Sequence, residues 1–256
     1  MKNKLKIELQ RILGAFLFYT RIPFPSKYFS KQDSNSSRYF TLVGLIVGML
    51  SVSVLIIPQI FITFIPSLSS WNSSPITILI VMLAAVLLTG ALHEDGFADT
   101  CDGVLGGYNI EKRLKIMKDS RIGTYGSVGL VFLILLKFFA LLQIEAEILP
   151  LVWVGGNAYS RLISILQISF ANYVQGSKQS KSKSMTDLSR VDLIVNVFFG
   201  LLPLLLIVNI VFFGLIGSLM VGFFTLYYFK KKLGGVTGDS LGATQQISEV
   251  IFYLCI

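Results

Sequence analysis

Within residues 93–103 the chain reads His93-Glu94-Asp95-Gly96-Phe97-Ala98-Asp99-Thr100-Cys101-Asp102-Gly103, so four carboxylates and the sole histidine of the protein fall in eleven residues. On a helix, Asp95, Asp99 and Asp102 stand at i, i+4 and i+7, within an arc of roughly 60° at about 100° per residue. Three like charges on one face repel one another, and a helix kept merely soluble would intersperse cations at those spacings. The arrangement therefore calls for an external cation, with Glu94, Asp95, Asp99 and Asp102 as candidate ligands. An oxygen-only set disfavours thiolate-type zinc and suits Mg²⁺ or Mn²⁺, which share carboxylates with substrate phosphates and water, with magnesium as the default. The competing reading is an acidic interfacial loop that caps helices. Asp95, Asp99, Asp102 and His93 are the candidate catalytic groups of this segment.

Cations follow directly in Glu111-Lys112-Arg113-Leu114-Lys115-Ile116-Met117-Lys118-Asp119-Ser120-Arg121. Arginine grips phosphate oxygens through a planar fork and lysine supplies a point charge, so Arg113, Lys118 and Arg121, with Asp119 beside them, are expected to bind an anionic substrate such as a diphosphate. A third polar stretch, Gly234-Gly235-Val236-Thr237-Gly238-Asp239-Ser240, offers a glycine-rich turn at Gly238. Asp239 there is expected to act as a metal ligand or base, or else merely to cap the helix that begins near Ser240. Arg161 and Lys137 lie inside apolar runs, where an ionisable group is costly. Arg161 is taken as a substrate-binding candidate, Lys137 as a group that snorkels or pairs with a carboxylate.

The elements that position these residues follow from composition. The 256 residues are 54% hydrophobic and only 14% charged, against roughly 25% charged in soluble domains. Apolar runs recur along the chain without a linker, which predicts one domain over residues 1–256. Runs at 39–60, 76–92, 125–144 and 148–170 approach the roughly 20 residues that cross a bilayer. The uncharged stretch Leu193 to Phe229 suits a hairpin turning near Asn209 to Gly214. The expectation is an all-α, polytopic helical bundle of about six transmembrane helices. Residues 5–19 add an amphipathic helix on the bilayer surface, and the active-site loops are cytoplasmic.

Cation placement is an independent guide to sidedness. Lysines and arginines crowd alternate connections (before the first run, at 112–121, 178–190 and 230–232) and are missing from the intervening ones. By the positive-inside tendency, both termini and the three polar segments face the cytoplasm of a prokaryotic cell, in its inner (cytoplasmic) membrane. The net charge of +8 is thereby explained by topology. Nucleic acid is not expected as a partner, because the aromatics lie inside apolar runs rather than on a basic soluble face. Cys101 and Cys255 form no CxxC pair or zinc cluster. The basic start and apolar follow-on of the N-terminus lack a small-residue cleavage site, so this segment is expected to stay on the protein.

HEDGFADTCDG, KIMKDSRIGTYG and GGVTGDSLGATQQISEV, together with FYTRIPFP at 18–25, resemble the cobalamin synthase family, the adenosylcobinamide-GDP ribazoletransferases, in order and over the whole chain. The resemblance implies Mg²⁺-dependent transfer of phosphocobinamide from adenosylcobinamide-GDP to α-ribazole or its 5′-phosphate. The products would be adenosylcobalamin or its 5′-phosphate, and GMP. A CDP-alcohol phosphotransferase would also use spaced aspartates at a membrane surface, but it expects an Ala-Arg that DGFADTCDG lacks. A cation transporter would place its carboxylates nearer the bilayer midplane. The sequence is compatible with a homo-oligomer.

Overall fold

The computed structural model describes residues 2–23, 36–55, 75–174 and 188–256. The outer end of the first expected span, the tail of FYTRIPFP and most of the polar loop 177–190 lie outside the described residues. Ten α-helices are described: α1 (Lys2–Tyr19), α2 (Phe40–Val52), α3 (Pro75–Thr89), α4 (Leu92–Gly106), α5 (Ile110–Ile116), α6 (Thr124–Leu142), α7 (Leu149–Leu166), α8 (Arg190–Leu201), α9 (Val208–Leu233) and α10 (Gly238–Leu254). The one β feature among them is an isolated bridge between Tyr173 and Val236, which ties the exit of α7 to the entry of α10.

The bundle is apolar outside, and its interior holds polar and charged groups beside an apolar core. Phe132 and Phe139 on α6, and Phe213, Met220, Phe223 and Phe224 on α9, are all exposed, whereas Lys137, Asn157, Arg161, Gln245, Gln246 and Glu249 are buried. Such a surface is stable against lipid tails, not against water. α7 is the hub, sheathed almost along its whole length and packed most closely on α2 and α10. Two described helices, α6 and α9, are long and apolar enough to cross a membrane alone, and the bent pair α3 and α4 makes a third if counted as one span. The count of about six is thus not reached by length and apolarity alone. α2 is 13 residues long and passes into a 3-10 turn at Ser53–Leu55, and α7 owes its polarity to Asn157, Ser160, Arg161 and Ser164.

Two expectations are corrected. The turn of the long uncharged stretch falls at residues 202–207, not at Asn209 to Gly214, leaving a 12-residue α8 and a 26-residue α9. Pro203 is the reason, since its ring clashes with the preceding turn and it has no N–H to donate. The helix carrying the aspartates also does not simply continue the span before it. α3 and α4 meet at 86°, through Gly90 (φ 64°) and Ala91 (φ 57°), two successive residues in the left-handed region. Ala91 carries a cost of about 1–2 kcal/mol there, offset by what the bend brings together. The Arg21 side chain lies across Gly90 so closely that a Cβ at that position would stand 2.3 Å from its Nε, and the Arg21 N–H donates to the Leu88 carbonyl at 2.7 Å. α4 is therefore directed away from the axis of α3.

α1 packs Ala15, Phe16 and Tyr19 into the core while Leu5 and Leu9 stay exposed, in keeping with a helix that rests on a membrane surface. Its Glu8 accepts from Arg38 (2.6 Å) and from the Tyr39 hydroxyl (2.7 Å). Arg38 also pairs with Asp192, which forms a capping box with Ser189 at the start of α8.

Candidate active site

The α4–α10 crossing builds the acidic surface. A Cβ on Gly96 would lie 3.0 Å from both Cα and the carbonyl oxygen of Asp239, and one on Gly242 would lie 3.3 Å from the His93 carbonyl oxygen. Only hydrogen at these two positions lets the backbones approach so closely. The contact sets Asp239, in the first turn of α10, against Asp95 and Asp99 on α4. Burial, and then the charges of Asp239, Asp95 and Asp102, push the Asp99 carboxyl up to about 7. Burial and the Asp95 carboxylate push Asp239 up to about 6, opposed by Lys118. Like charges held together in a partly dry place raise one another in this way. Thr237, not Asp239, caps α10: its hydroxyl accepts from the Ser240 N–H (3.1 Å) in a reciprocal capping box. The helix-cap alternative for Asp239 is thereby removed.

Asp102 has another task. Its carboxylate accepts from the backbone N–H groups of Gly123 (2.7 Å) and Gly126 (2.9 Å), satisfying orphan donors at the start of α6. Glu94 also turns away from the aspartates: Oε1 accepts from Gln246 at 2.9 Å, and Oε2 is buried without a partner. Among the described residues no three His, Cys, Asp or Glu side chains converge tightly enough to hold a metal by themselves. Asp95, Asp99 and Asp239 nevertheless fit a hard divalent cation. They are oxygen donors whose mutual repulsion such an ion would offset, and Mg²⁺ ordinarily completes its shell with water and substrate phosphate.

The cations divide similarly. Lys118 is exposed and is the cation that bears on Asp239. Arg121 is bound in two-toothed fashion to Asp119, Nε to Oδ1 at 3.0 Å and Nη2 to Oδ2 at 2.7 Å. That hydrogen bonding, with the nearby guanidinium charge, holds Asp119 at about 2. The Arg121 fork is therefore engaged internally, on a side chain that is 86% exposed. Arg113 reaches back to the Lys232 carbonyl (3.1 Å) and so fastens α5 to the C-terminus of α9. Gly238 is exposed beside Asp239.

Arg161 and Lys137 are not on the acidic surface. Lys137 donates to Glu249 (3.0 Å) and Gln246 (2.8 Å), while Glu249 also accepts from Asn157, Gln245 and Tyr253. Arg161 donates to the Asn157 carbonyl at 2.7 Å and lies 5.9 Å from the Phe40 ring centroid. Lys137, Asn157, Arg161, Gln246 and Glu249, with His93 and Glu94, share the wall of a small cavity of about 40 Å³ with apolar side chains such as Met82 and Leu133. Sequence reasoning missed Glu249, although the buried Lys137 was the signal: an intramembrane cation needs a carboxylate, and α10 carries only Asp239 and Glu249. His93 is buried, its ring 5.7 Å from that of Phe40.

The family model described as cobalamin-5-phosphate synthase matches residues 11–256. An adenosylcobinamide-GDP ribazoletransferase of Shewanella piezotolerans is 38% identical over 97% of this chain and 95% of its own length. One of Shewanella frigidimarina is 39% identical over 97% of this chain and 94% of its own. No solved structure matches the chain. With an unbroken match of this length, an all-helical membrane fold and one acid-lined crossing of α4 and α10, the chain is an enzyme that belongs to the cobalamin-5-phosphate synthase family.

Proposed function

We propose that the protein transfers the phosphocobinamide group of adenosylcobinamide-GDP to a free ribose hydroxyl of α-ribazole or of its 5′-phosphate, releasing GMP, with Mg²⁺ as cofactor and at the cytoplasmic face of the cell membrane. The observation that carries this reading is the meeting of Asp95 and Asp99 with Asp239, with Lys118 beside them. A diphosphate substrate is anionic and needs both a divalent cation and a basic side chain to hold it; this surface has the donors for both. When bound, the cation would neutralise charge on the diphosphate as the bond to GMP breaks.

The residues then divide the work. Lys118 holds non-reacting phosphate oxygens, and Arg121 joins it by exchanging its carboxylate partner for phosphate, a swap between equivalent two-toothed contacts on an exposed side chain. Asp239, held against α4 at the helix crossing, either completes the carboxylate set for the cation or accepts the proton that the attacking hydroxyl gives up. Asp102 and Arg113 position helices and do not touch substrate.

The test uses the purified chain in lipid nanodiscs with adenosylcobinamide-GDP, α-ribazole and Mg²⁺. GMP and adenosylcobalamin should form together, and chelation of the metal should abolish both. Hydrolysis of the diphosphate without attachment of ribazole, or turnover insensitive to chelator, would overturn the reading.

A further inference from the structure

Beside the aspartates lies a second cavity, of about 220 Å³, enclosed by α1, α2, α4, α7 and the entry to α10. Four aromatic side chains, Phe18, Tyr19, Phe40 and Tyr173, stand in its wall, with Ile165 and Ile168 contributed from α7 and the turn that follows it. The Tyr19 and Phe40 rings are themselves packed 4.4 Å apart, centroid to centroid. Asp239 and Gly238 belong to the same wall. His93 does too, and its Nε2 is buried with no hydrogen-bond partner.

We infer that this cavity receives the aromatic base of the nucleoside acceptor, so that the attached ribose presents a free hydroxyl at Asp239. The inference rests on the function proposed above and adds to it the place of the second substrate. An apolar cavity of about 150 Å³ accommodates one benzene ring, so 220 Å³ is the scale of a fused two-ring system. The polar content of the wall selects which one. A benzimidazole joined to ribose through one nitrogen keeps a single free ring nitrogen, an acceptor. His93 Nε2 and Ser37 Oγ are the two buried, unpartnered positions of the wall, and either can donate to it, the imidazole in the matching tautomer. Guanine and adenine, the other fused-ring bases carried by the substrates, have several donors and acceptors on their edges. Buried here, most of them would lose their partners, at a cost that discriminates strongly against both bases.

The probe is α-ribazole itself, titrated calorimetrically into the full chain in nanodiscs without metal or the second substrate. Binding should be saturable, and guanosine should not compete. Phe40→Leu removes a stacking face and should weaken α-ribazole by about 5- to 150-fold, the range of one lost base–aromatic stack. Ile168→Phe shrinks the cavity without removing a ring and should weaken it as well. The KM for adenosylcobinamide-GDP should stay at the wild-type value in both variants, which also reports that they are folded. Unchanged α-ribazole affinity in both, or effective competition by guanosine, overturns the inference. The two ideas separate cleanly. Loss of α-ribazole binding in the variants of a wild type that forms no GMP leaves the base site standing and removes the proposed reaction. GMP formation with a wild-type KM for α-ribazole in both variants does the reverse.

Discussion

Replacing Gly96 with alanine tests whether the α4–α10 crossing sets catalytic geometry. The new Cβ would stand 3.0 Å from two backbone atoms of Asp239, where ordinary contact begins at 3.4 Å. The helices must therefore part by about 0.4 Å, the difference between those two distances, and what moves is main chain rather than a side chain that swings aside. Overpacking of this kind costs about 1–3 kcal/mol, against a gain of about 1 kcal/mol from alanine in a helix. The net loss of stability is then only about 0–2 kcal/mol, and the protein should fold. Catalysis is the more sensitive observable. If a 1 Å misplacement costs roughly 100-fold and the loss scales logarithmically, 0.4 Å costs roughly 6-fold in kcat. The matched control is Gly106→Ala on the same helix, whose Cβ would meet Ile116 at an ordinary 3.7 Å. Steady-state kinetics over a magnesium titration should show Gly96→Ala with lowered kcat and a higher metal requirement, and Gly106→Ala near wild type. Equal kcat and equal metal dependence in the two variants would refute the argument.

Asp102→Asn should lower thermal stability whether or not Mg²⁺ is present, by about 1.5–3 kcal/mol, because an amide replaces one of two carboxylate acceptors at the start of α6; denaturation followed by fluorescence measures it. Asp95→Asn and Asp99→Asn should instead leave or raise the stability of the metal-free protein above pH 7 while removing the stabilisation by Mg²⁺, and a normal metal response in both would count against their role. Asp99 and Asp239 have folded-state values of about 7 and about 6 against 3.8 in the open chain. Their contribution is fully present below pH ~4 and is lost as pH rises through the folded values. Melting of the metal-free protein should therefore fall between about pH 4 and 7, and added Mg²⁺ should flatten the decline at its upper end; a rise over that window would contradict the clustering. Lys137→Met should cost about 3–5 kcal/mol by stranding the buried Glu249, with much of that recovered in the Lys137→Met, Glu249→Gln double variant, as judged by the yield of folded protein in detergent.

Helical spacing made the acidic face legible, and hydropathy made the membrane character legible, because both are short-range properties of the chain. What lay beyond reach was whatever depends on a partner far away in sequence. Spacing placed Asp95, Asp99 and Asp102 on one face but could not say that Gly123 and Gly126 occupy the third of them. Ala91, a good helix former, gives no sign in the sequence of its left-handed backbone; the bend is imposed by what packs around it. Arg161 was legible as an exceptional residue in an apolar run, but not as an interior one bonded to Asn157 on its own helix. Pro203 was visible all along and marks the turn that the centre of a 37-residue uncharged stretch had suggested lay later.

The contact between Gly96 and Asp239 also bears on the order in which the enzyme is made. α10 leaves the ribosome after every other described helix, yet it supplies one of the three carboxylates of the site and the Glu249 that neutralises Lys137 from 112 residues away. Until it docks, Lys137 is an unpaired cation inside a bundle whose other helices are already in the bilayer, and α4 has no backbone to rest against. Non-local closure of this kind is slow, and a nascent chain halted before α10 is both inactive and electrostatically unfinished. Newly made protein should therefore gain metal affinity and resistance to proteolysis in the same late step.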